Sequence, residues 1–126
     1  MSKDVTVSEW VVVMRFRVPT DGAGRFRDEA GVVARLLAGF SGCRGVQVGR
    51  ATDDRSLWTM VARWQSVGSY RKALSSFEVK ATAVPFLAQA IDEPTAFEVL
   101  FAIDAEGEHE ASSDLAGDAE TVDRSR

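Results

Sequence analysis

The sequence predicts an α+β fold with a single antiparallel sheet. Residues 9–18, 46–52, 57–64 and 95–103 are rich in β-branched and aromatic residues, with side chains that alternate in polarity, as is typical of strands. Residues 25–40 and 66–91 instead repeat apolar residues at spacings of three and four, which is typical of helices packed on a core. The resulting order, β-α-β-β-α-β, predicts a ferredoxin-like domain: a four-stranded antiparallel sheet with both helices on one face.

The first predicted strand, residues 9–18, has one face suited to a core and one mixed face. The core face holds Trp10, Val12, Met14, Phe16 and Val18, and the other holds Glu9, Val11, Val13, Arg15 and Arg17. A "PTDGAG" break then leads into a helix whose apolar stripe holds Phe26, Ala30, Val33, Leu37 and Phe40. Glycines in residues 39–45 permit the turn out of this helix.

The two middle strands, residues 46–52 and 57–64, form a predicted hairpin around the turn "DDRS". The second of them places Trp58, Met60, Ala62 and Trp64 on one face. Ser66 is a natural N-cap for the helix that follows, whose apolar side holds Val67, Tyr70, Ala73, Leu74 and Phe77. Pro85 predicts a kink or a fresh start in the second helical region. In the last strand, the alternation sets Phe97, Val99 and Phe101 opposite Ala96, Glu98 and Leu100.

Length and charge divide the chain into one domain, residues 1–103, and an acidic tail, residues 104–126. The chain has 126 residues and a net charge of −4, but the last 23 hold eight acids and two arginines, which leaves +2 on the rest. This segment lacks apolar periodicity, so we expect a disordered tail. The weak, scattered positive charge of the domain argues against nucleic-acid binding. Arg25, Arg27 and Arg35 are interpreted as part of a solvated helix face.

Targeting and metal motifs are missing from the sequence. It has no apolar run of the roughly 20 residues that a membrane span needs and no secretory leader, so we expect a cytoplasmic protein with no membrane partner. The lone Cys43 has no neighbour with zinc-ligand spacing. No metal site is therefore predicted.

The mixed face of the sheet predicts a homodimer. It carries Val11, Val13, Leu57, Val61 and Leu100, and exposed apolar patches of this kind mark interfaces. Two such faces packed together would bury the patch. Arg15, Arg17, Arg63 and Glu98 are expected on the same face, because the first strand lies between the third and fourth in this topology. These charges either pair within the interface or lie at strand ends in water.

The segment "RWQSVGSY", at the junction of the third strand and the second helix, resembles the antibiotic biosynthesis monooxygenase family, as does the alternating "TAFEVLF". The resemblance covers about residues 8–103. It implies a dimeric α+β barrel with a pocket between the sheet and the helices of each subunit. Some relatives oxidise quinols or polyketide phenols without metal or flavin, and some of these carry a helix histidine near the position of Ala73. Haem-degrading relatives use a helix histidine and a first-strand asparagine, both missing here, so no cofactor is expected.

The resemblance, with the strand faces, predicts an aromatic substrate pocket lined by Trp64, Tyr70, Phe77, Phe86, Phe16 and Trp58. Such a lining suits a flat apolar ligand, although the same residues would also serve as a plain core. No catalytic residue is assigned. Glu98, Glu78 and Tyr70 are weak candidates for a base, and an arginine would stabilise a substrate anion. The only histidine, His109, lies between two glutamates in the tail.

Three hypotheses about function follow. The first is a cofactor-independent monooxygenase acting on an aromatic, enolisable or quinol-like small molecule, as the resemblance implies. The second is a non-catalytic ligand-binding or accessory dimer, which the missing helix histidine favours. The third is a solid-core dimer without a pocket.

Overall fold

The computed structural model describes residues 9–111 and confirms the β-α-β-β-α-β order. The first five elements are β1 (Trp10–Arg17), α1 (Ala23–Ala38), β2 (Cys43–Arg50), β3 (Leu57–Trp64) and α2 (Val67–Leu74). They are followed by α3 (Val84–Leu87), β4 (Ala96–Glu98), β5 (Phe101–Asp104) and β6 (Gly107–Glu110). A 3-10 turn, Thr20–Gly22, leads into α1, and a π-helical segment, Val79–Ala83, leads into α3.

The main sheet has the strand order β2-β3-β1-β4, with antiparallel neighbours throughout. In the central pair, Trp10 lies opposite Trp64, and Phe16 lies opposite Trp58. Directly opposed residues share a face of the sheet, so the register gathers the large apolar side chains on the side that the helices cover. The predicted place of β1, between β3 and β4, is confirmed.

The core lies between this face and the helices, as the alternation predicts. The sheet contributes buried residues Trp10, Val12, Met14, Phe16, Trp58, Met60, Ala62 and Trp64. The first helix contributes Phe26, Ala30, Val33 and Leu37, and the second helical region contributes Ala73, Val79, Ala83 and Phe86.

The start of α2 is stabilised by local hydrogen bonds between Ser66 and Ser69. Ser66 Oγ accepts a hydrogen bond from the Ser69 backbone N–H at 3.2 Å, and Ser69 Oγ accepts from the Ser66 N–H at 3.3 Å, which forms a capping box. The adjacent loop approaches closely at Gly42, where φ is +94° and a Cβ would lie 2.5 Å from Ser69 Cβ. Only glycine fits this position without a shift of the backbone.

The second helical region is interrupted twice. Leu74 ends α2, and the Val84 N–H then bonds to the Val79 carbonyl, five residues back, as in a π-helix. Pro85 lies in the first turn of α3, where its missing N–H costs little. The sequence predicts a kink or a fresh start at this proline, and the structure shows a change there from π-helical to α-helical hydrogen bonding.

The last predicted strand is shorter than expected, and its faces are reversed. β4 ends at Glu98, and residues 101–104 pair with β6 in a separate two-stranded sheet. Phe97 lies opposite Val11 on the outer face, whereas Glu98 lies opposite Trp10 on the helix side. The predicted alternation was therefore wrong in phase, because hydrogen bonding to β1 determines which residue of so short a strand faces inward.

The β5–β6 hairpin includes residues that we expected in the acidic tail. Its turn is stabilised by the Asp104 carboxylate, which accepts a hydrogen bond from the Glu106 N–H at 2.8 Å, and by Gly107 at φ +123°. His109 Nε2 lies 3.3 Å from the same carboxylate. The remainder of the predicted tail, residues 112–126, lies outside the described residues, so its disorder stays a prediction.

The outer face of the main sheet carries a half-exposed apolar surface formed by Val11, Val13, Leu57 and Val61. Arg15 forms a two-pronged ion pair with Glu93, with both nitrogen–oxygen distances at 2.8 Å. Arg17 Nη1 lies 2.8 Å from Asp54 Oδ2. Both arginines are thus paired with loop acids of the same chain, at exposed positions.

None of the helices in residues 9–111 combines the length and apolar character of a bilayer span.

Candidate functional site

The six predicted lining residues are divided between two ends of the sheet. Phe16 and Trp58 lie opposite each other near one end of the β1–β3 pair, and Trp64 lies six residues further along β3. At the strand rise of about 3.3 Å per residue, this separation is roughly 20 Å. The predicted residues therefore do not line one common cavity.

One end holds a cluster of four rings, Phe16, Phe26, Trp58 and Phe86, hereafter the aromatic cluster. Phe16 lies 5.1 Å from both Phe26 and Phe86, measured between ring centroids. Phe26 lies 5.2 Å from Trp58, edge to face, and 5.2 Å from Phe86. These separations are typical of favourable aromatic pairs. Phe26, which the sequence predicts as a core residue of the first helix, joins the other rings from the helix side.

A pocket of about 420 Å³, the β1–α1 pocket, opens beside the aromatic cluster. Its wall consists of Phe16, Arg17, Val18, Pro19, Gly22, Arg25, Phe26, Glu29 and Gln89. The volume lies in the range of small-molecule sites. Two aromatic rings thus meet a charged rim in this pocket.

The cations of the rim differ in how firmly they are held. Arg17 Nη1 donates to Asp54 Oδ2 at 2.8 Å and to Ser56 Oγ at 2.9 Å. Hydrogen bonds from Arg17, and then from Ser56, lower the pKa of the Asp54 carboxyl. Arg25 Nε lies 3.5 Å from Glu29 Oε2 at well-exposed positions, and such surface pairs contribute little to stability. Arg17 is therefore oriented, whereas Arg25 and Glu29 are easily rearranged.

Among the described residues, Glu29 is the only carboxylate in the wall of this pocket. Sequence reasoning missed it, because Arg25 and Glu29 at a spacing of four are usual on a solvated helix face. The position of Phe26 could have indicated this site. Phe26 is buried, and Arg25 and Glu29 are one and three residues away from it in the helix, so both charges lie at the edge of the core.

The other end of the sheet holds Trp64 and Tyr70, with ring centroids 5.6 Å apart. Trp64 is fully buried, and its indole N–H has no hydrogen-bond partner among the described residues. Burial raises the pKa of the Tyr70 hydroxyl, so this group is a donor rather than a base at neutral pH. Neither residue lines the β1–α1 pocket.

The remaining candidates lie away from this pocket. Phe77 is 82% exposed, because α2 ends at Leu74 and the apolar stripe does not continue through the following turn. Glu78 is exposed, and Glu98 lies on β4, across β1 from β3. Residues 9–111 contain no group of three side chains arranged to hold a metal ion.

These features define a small α+β protein with an aromatic pocket between sheet and helix, and comparison with known proteins gives its family. Residues 10–84, more than half of the chain, match the family model described as antibiotic biosynthesis monooxygenase. The chain belongs to this family. No curated protein is significantly similar to it in sequence.

Solved structures share the fold. A variant of SnoaB, a cofactor-independent oxygenase from Streptomyces nogalater, is 22% identical with a TM-score of 0.64, covering 74% of this chain and 94% of that one. A candidate antibiotic biosynthesis monooxygenase from Deinococcus radiodurans is 19% identical with a TM-score of 0.63, covering 78% and 99%. A conserved protein from Methanosarcina mazei Go1 is 19% identical with a TM-score of 0.60, covering 74% and 92%. At these identities the similarity shows the fold alone.

Proposed function

We propose that this protein is a cofactor-independent monooxygenase whose substrate is an enolisable aromatic small molecule bound in the β1–α1 pocket. The observation that carries the proposal is the combination of two rings, Phe16 and Phe26, with one carboxylate and two guanidinium groups in a single wall. Family membership and the fold shared with a cofactor-independent oxygenase support the reaction class.

The proposed oxidation requires few contributions from the protein. A substrate such as an anthrone carries an acidic CH₂ next to aromatic rings, and its anion is itself the reductant of dioxygen. Oxidation of this CH₂ by one O₂ gives a C=O and one water, so no external electron donor is needed. The protein must bind the ring system, accept a proton and stabilise the anion.

In this proposal each residue of the pocket has one role. Phe16 and Phe26 contact the rings, and Glu29 accepts the proton. Arg25, which already lies beside that carboxylate, pairs with the oxygen of the enolate as negative charge develops. Arg17, held by Asp54 and Ser56, adds a fixed positive charge at the rim.

Oxygen uptake with a panel of anthrones and quinols tests the proposal. Glu29→Gln should lower kcat by roughly 100-fold or more, the usual contribution of a general base. Glu78→Gln, a matched loss of an exposed carboxylate outside the pocket, should leave kcat unchanged. Equal activity of Glu29→Gln and the wild type would rule out Glu29 as the base.

A non-catalytic ligand-binding role is the second candidate. It is favoured by the ion pair between Arg25 and Glu29, because this pair engages the one carboxylate that the described residues place in the pocket wall. Quenching of tryptophan fluorescence by anthrones, without oxygen consumption, would support this role and contradict the first.

We also propose that two copies associate through the outer face of the sheet. This face carries Val11, Val13, Leu57 and Val61 half-exposed, with Phe97 added by the observed phase of β4. The sequence prediction that Trp64 and Tyr70 contact the substrate is not part of this proposal, because neither residue lines the β1–α1 pocket. A ligand would reach the fully buried Trp64 only if α2 moved outward.

A further inference from the structure

A second cavity of about 640 Å³, the α1–β2 cleft, separates α1 from the β2–β3 hairpin. Its wall consists of Arg27, Asp28, Gly31, Val32, Arg35, Val48, Gly49, Arg50 and Trp58. The helix residues recur at spacings of one and three, so they form one continuous face of α1. The volume is within the range of small-molecule sites.

The cleft concentrates positive charge that has no ion-pair partner among residues 9–111. Arg27, Arg35 and Arg50 make no ion pair with any residue in 9–111. Arg15 and Arg17, in contrast, are each paired with an acid. Three arginines against the single Asp28 leave a net charge of about +2 in the wall of one cavity, which favours an anionic ligand.

Aromatic and aliphatic groups accompany this charge. The Arg50 guanidinium lies over the Trp58 ring, 5.0 Å from its centroid, a cation–π arrangement that orients the guanidinium. Trp58 is buried and also part of the cleft wall. Val32 and Val48 add aliphatic surface from the helix and the strand. A ligand here would meet both a cation and an apolar wall.

Gly31 keeps the helix side of the cleft open. It lies in the middle of α1, where glycine lowers helix stability relative to alanine. The three atoms nearest to a Cβ built at this position all belong to the guanidinium of Arg35, with Nη1 at 3.4 Å. The absence of a side chain at residue 31 therefore gives Arg35 room to lie across the helix at the cleft.

We propose that the α1–β2 cleft is a second ligand site, separate from the β1–α1 pocket, and that it binds a small aromatic carboxylate. The carboxylate pairs with the guanidinium groups of Arg35 and Arg50, whose planar donors match its two oxygens. The aromatic ring lies against Val32, Val48 and the part of Trp58 that lines the cleft. Two of the three cleft arginines thereby gain an acid partner, which none of the three has within residues 9–111.

Calorimetric titration of the full chain with 2-naphthoate tests the proposal, with 2-naphthalenemethanol as the neutral analogue. We expect naphthoate to bind at least tenfold more tightly than the alcohol, and we expect its affinity to fall with added salt. Arg35→Gln and Arg50→Gln should each weaken binding roughly tenfold, the usual effect of losing a charged hydrogen bond. Asp28→Asn should strengthen binding, because it removes the one repelling charge.

Two controls distinguish the cleft from other binding modes. Arg25→Gln removes the same charge from the same helix but at the β1–α1 pocket, and Arg71→Gln removes it from α2. Both should bind naphthoate like the wild type. If Arg25→Gln weakens binding and Arg35→Gln does not, the ligand lies in the other pocket and the proposal is overturned. Equal weakening by all the arginine variants would indicate non-specific charge attraction and would also overturn it.

The Gly31→Leu variant tests the cleft by filling it without destabilising the fold. Leucine favours helix more than glycine does. Its side chain would enter the cleft, where the atoms nearest to its Cβ belong to the flexible guanidinium of Arg35. We expect a melting temperature at or above that of the wild type, together with loss of naphthoate binding. A stable Gly31→Leu protein that binds naphthoate normally would refute the cleft as the site.

Discussion

Replacement of Trp64 by alanine should destabilise the protein severely. Trp64 is among the largest fully buried side chains, and its only ring contact described here is Tyr70. Removing a large buried aromatic typically costs about 3 to 5 kcal/mol. For a domain of this size, that corresponds to a fall in melting temperature of at least roughly 12 °C. The loss should be smaller for Trp64→Phe, about 1 to 2 kcal/mol, because the indole N–H has no hydrogen bond to lose.

Urea unfolding of Trp64→Ala, Trp64→Phe and the control Trp58→Phe measures these values, and anthrone binding to the same variants gives the comparison with function. We expect Trp64→Phe to bind anthrones like the wild type. Trp58→Phe should perturb the aromatic cluster, because Trp58 contacts Phe26 and lies under Arg50. A Trp64→Ala protein that loses less than about 1 kcal/mol would refute the assignment of Trp64 to the core, and would favour an open pocket wall instead.

Three further changes test the fold and the assembly. Gly42→Ala should cost about 1 to 3 kcal/mol in urea unfolding, since its Cβ would lie 2.5 Å from Ser69 Cβ; a neutral result would contradict the close approach of this loop to α2. The pKa of Asp54 is lowered by Arg17 in the folded state, so this carboxylate stabilises the protein above its unfolded pKa of about 3.9 and loses that effect as pH falls through the folded value. Asp54→Asn should therefore flatten the acid side of a melting-temperature profile, and an unchanged profile would mean that the ion pair contributes nothing. Val13→Asp should dissociate the proposed dimer at a cost of several kcal/mol, as measured by sizing chromatography; a wild type that is monomeric at micromolar concentration would exclude this interface.

Local patterns were enough to predict the elements and the buried face of the central strands. In β1 and β3 successive side chains point to opposite faces, so alternation alone separates Trp10 and Phe16 from Val11 and Arg15. The N-cap at Ser66 and an irregularity at Pro85 were also predictable, because a cap and a proline act through the few residues around them. The strand order followed from the topology.

The site depended on contacts between elements that are distant in the sequence. The alternation of side chains along β3 shows that Trp58 and Trp64 share one face. Only the packing of α1 and α3 on the sheet shows that Phe26 and Phe86 lie at the same end of β3 as Trp58. The phase of β4 was set by its hydrogen bonds to β1, since three residues carry too little pattern to decide which side faces inward. Helix periodicity placed Arg25, Glu29 and Arg35 on the surface of α1. Only the arrangement of α1 against β1 and β2 shows that these charges lie at two separate cavities. The periodicity of a helix predicts which residues share a face, but it does not predict which other elements pack beside that face.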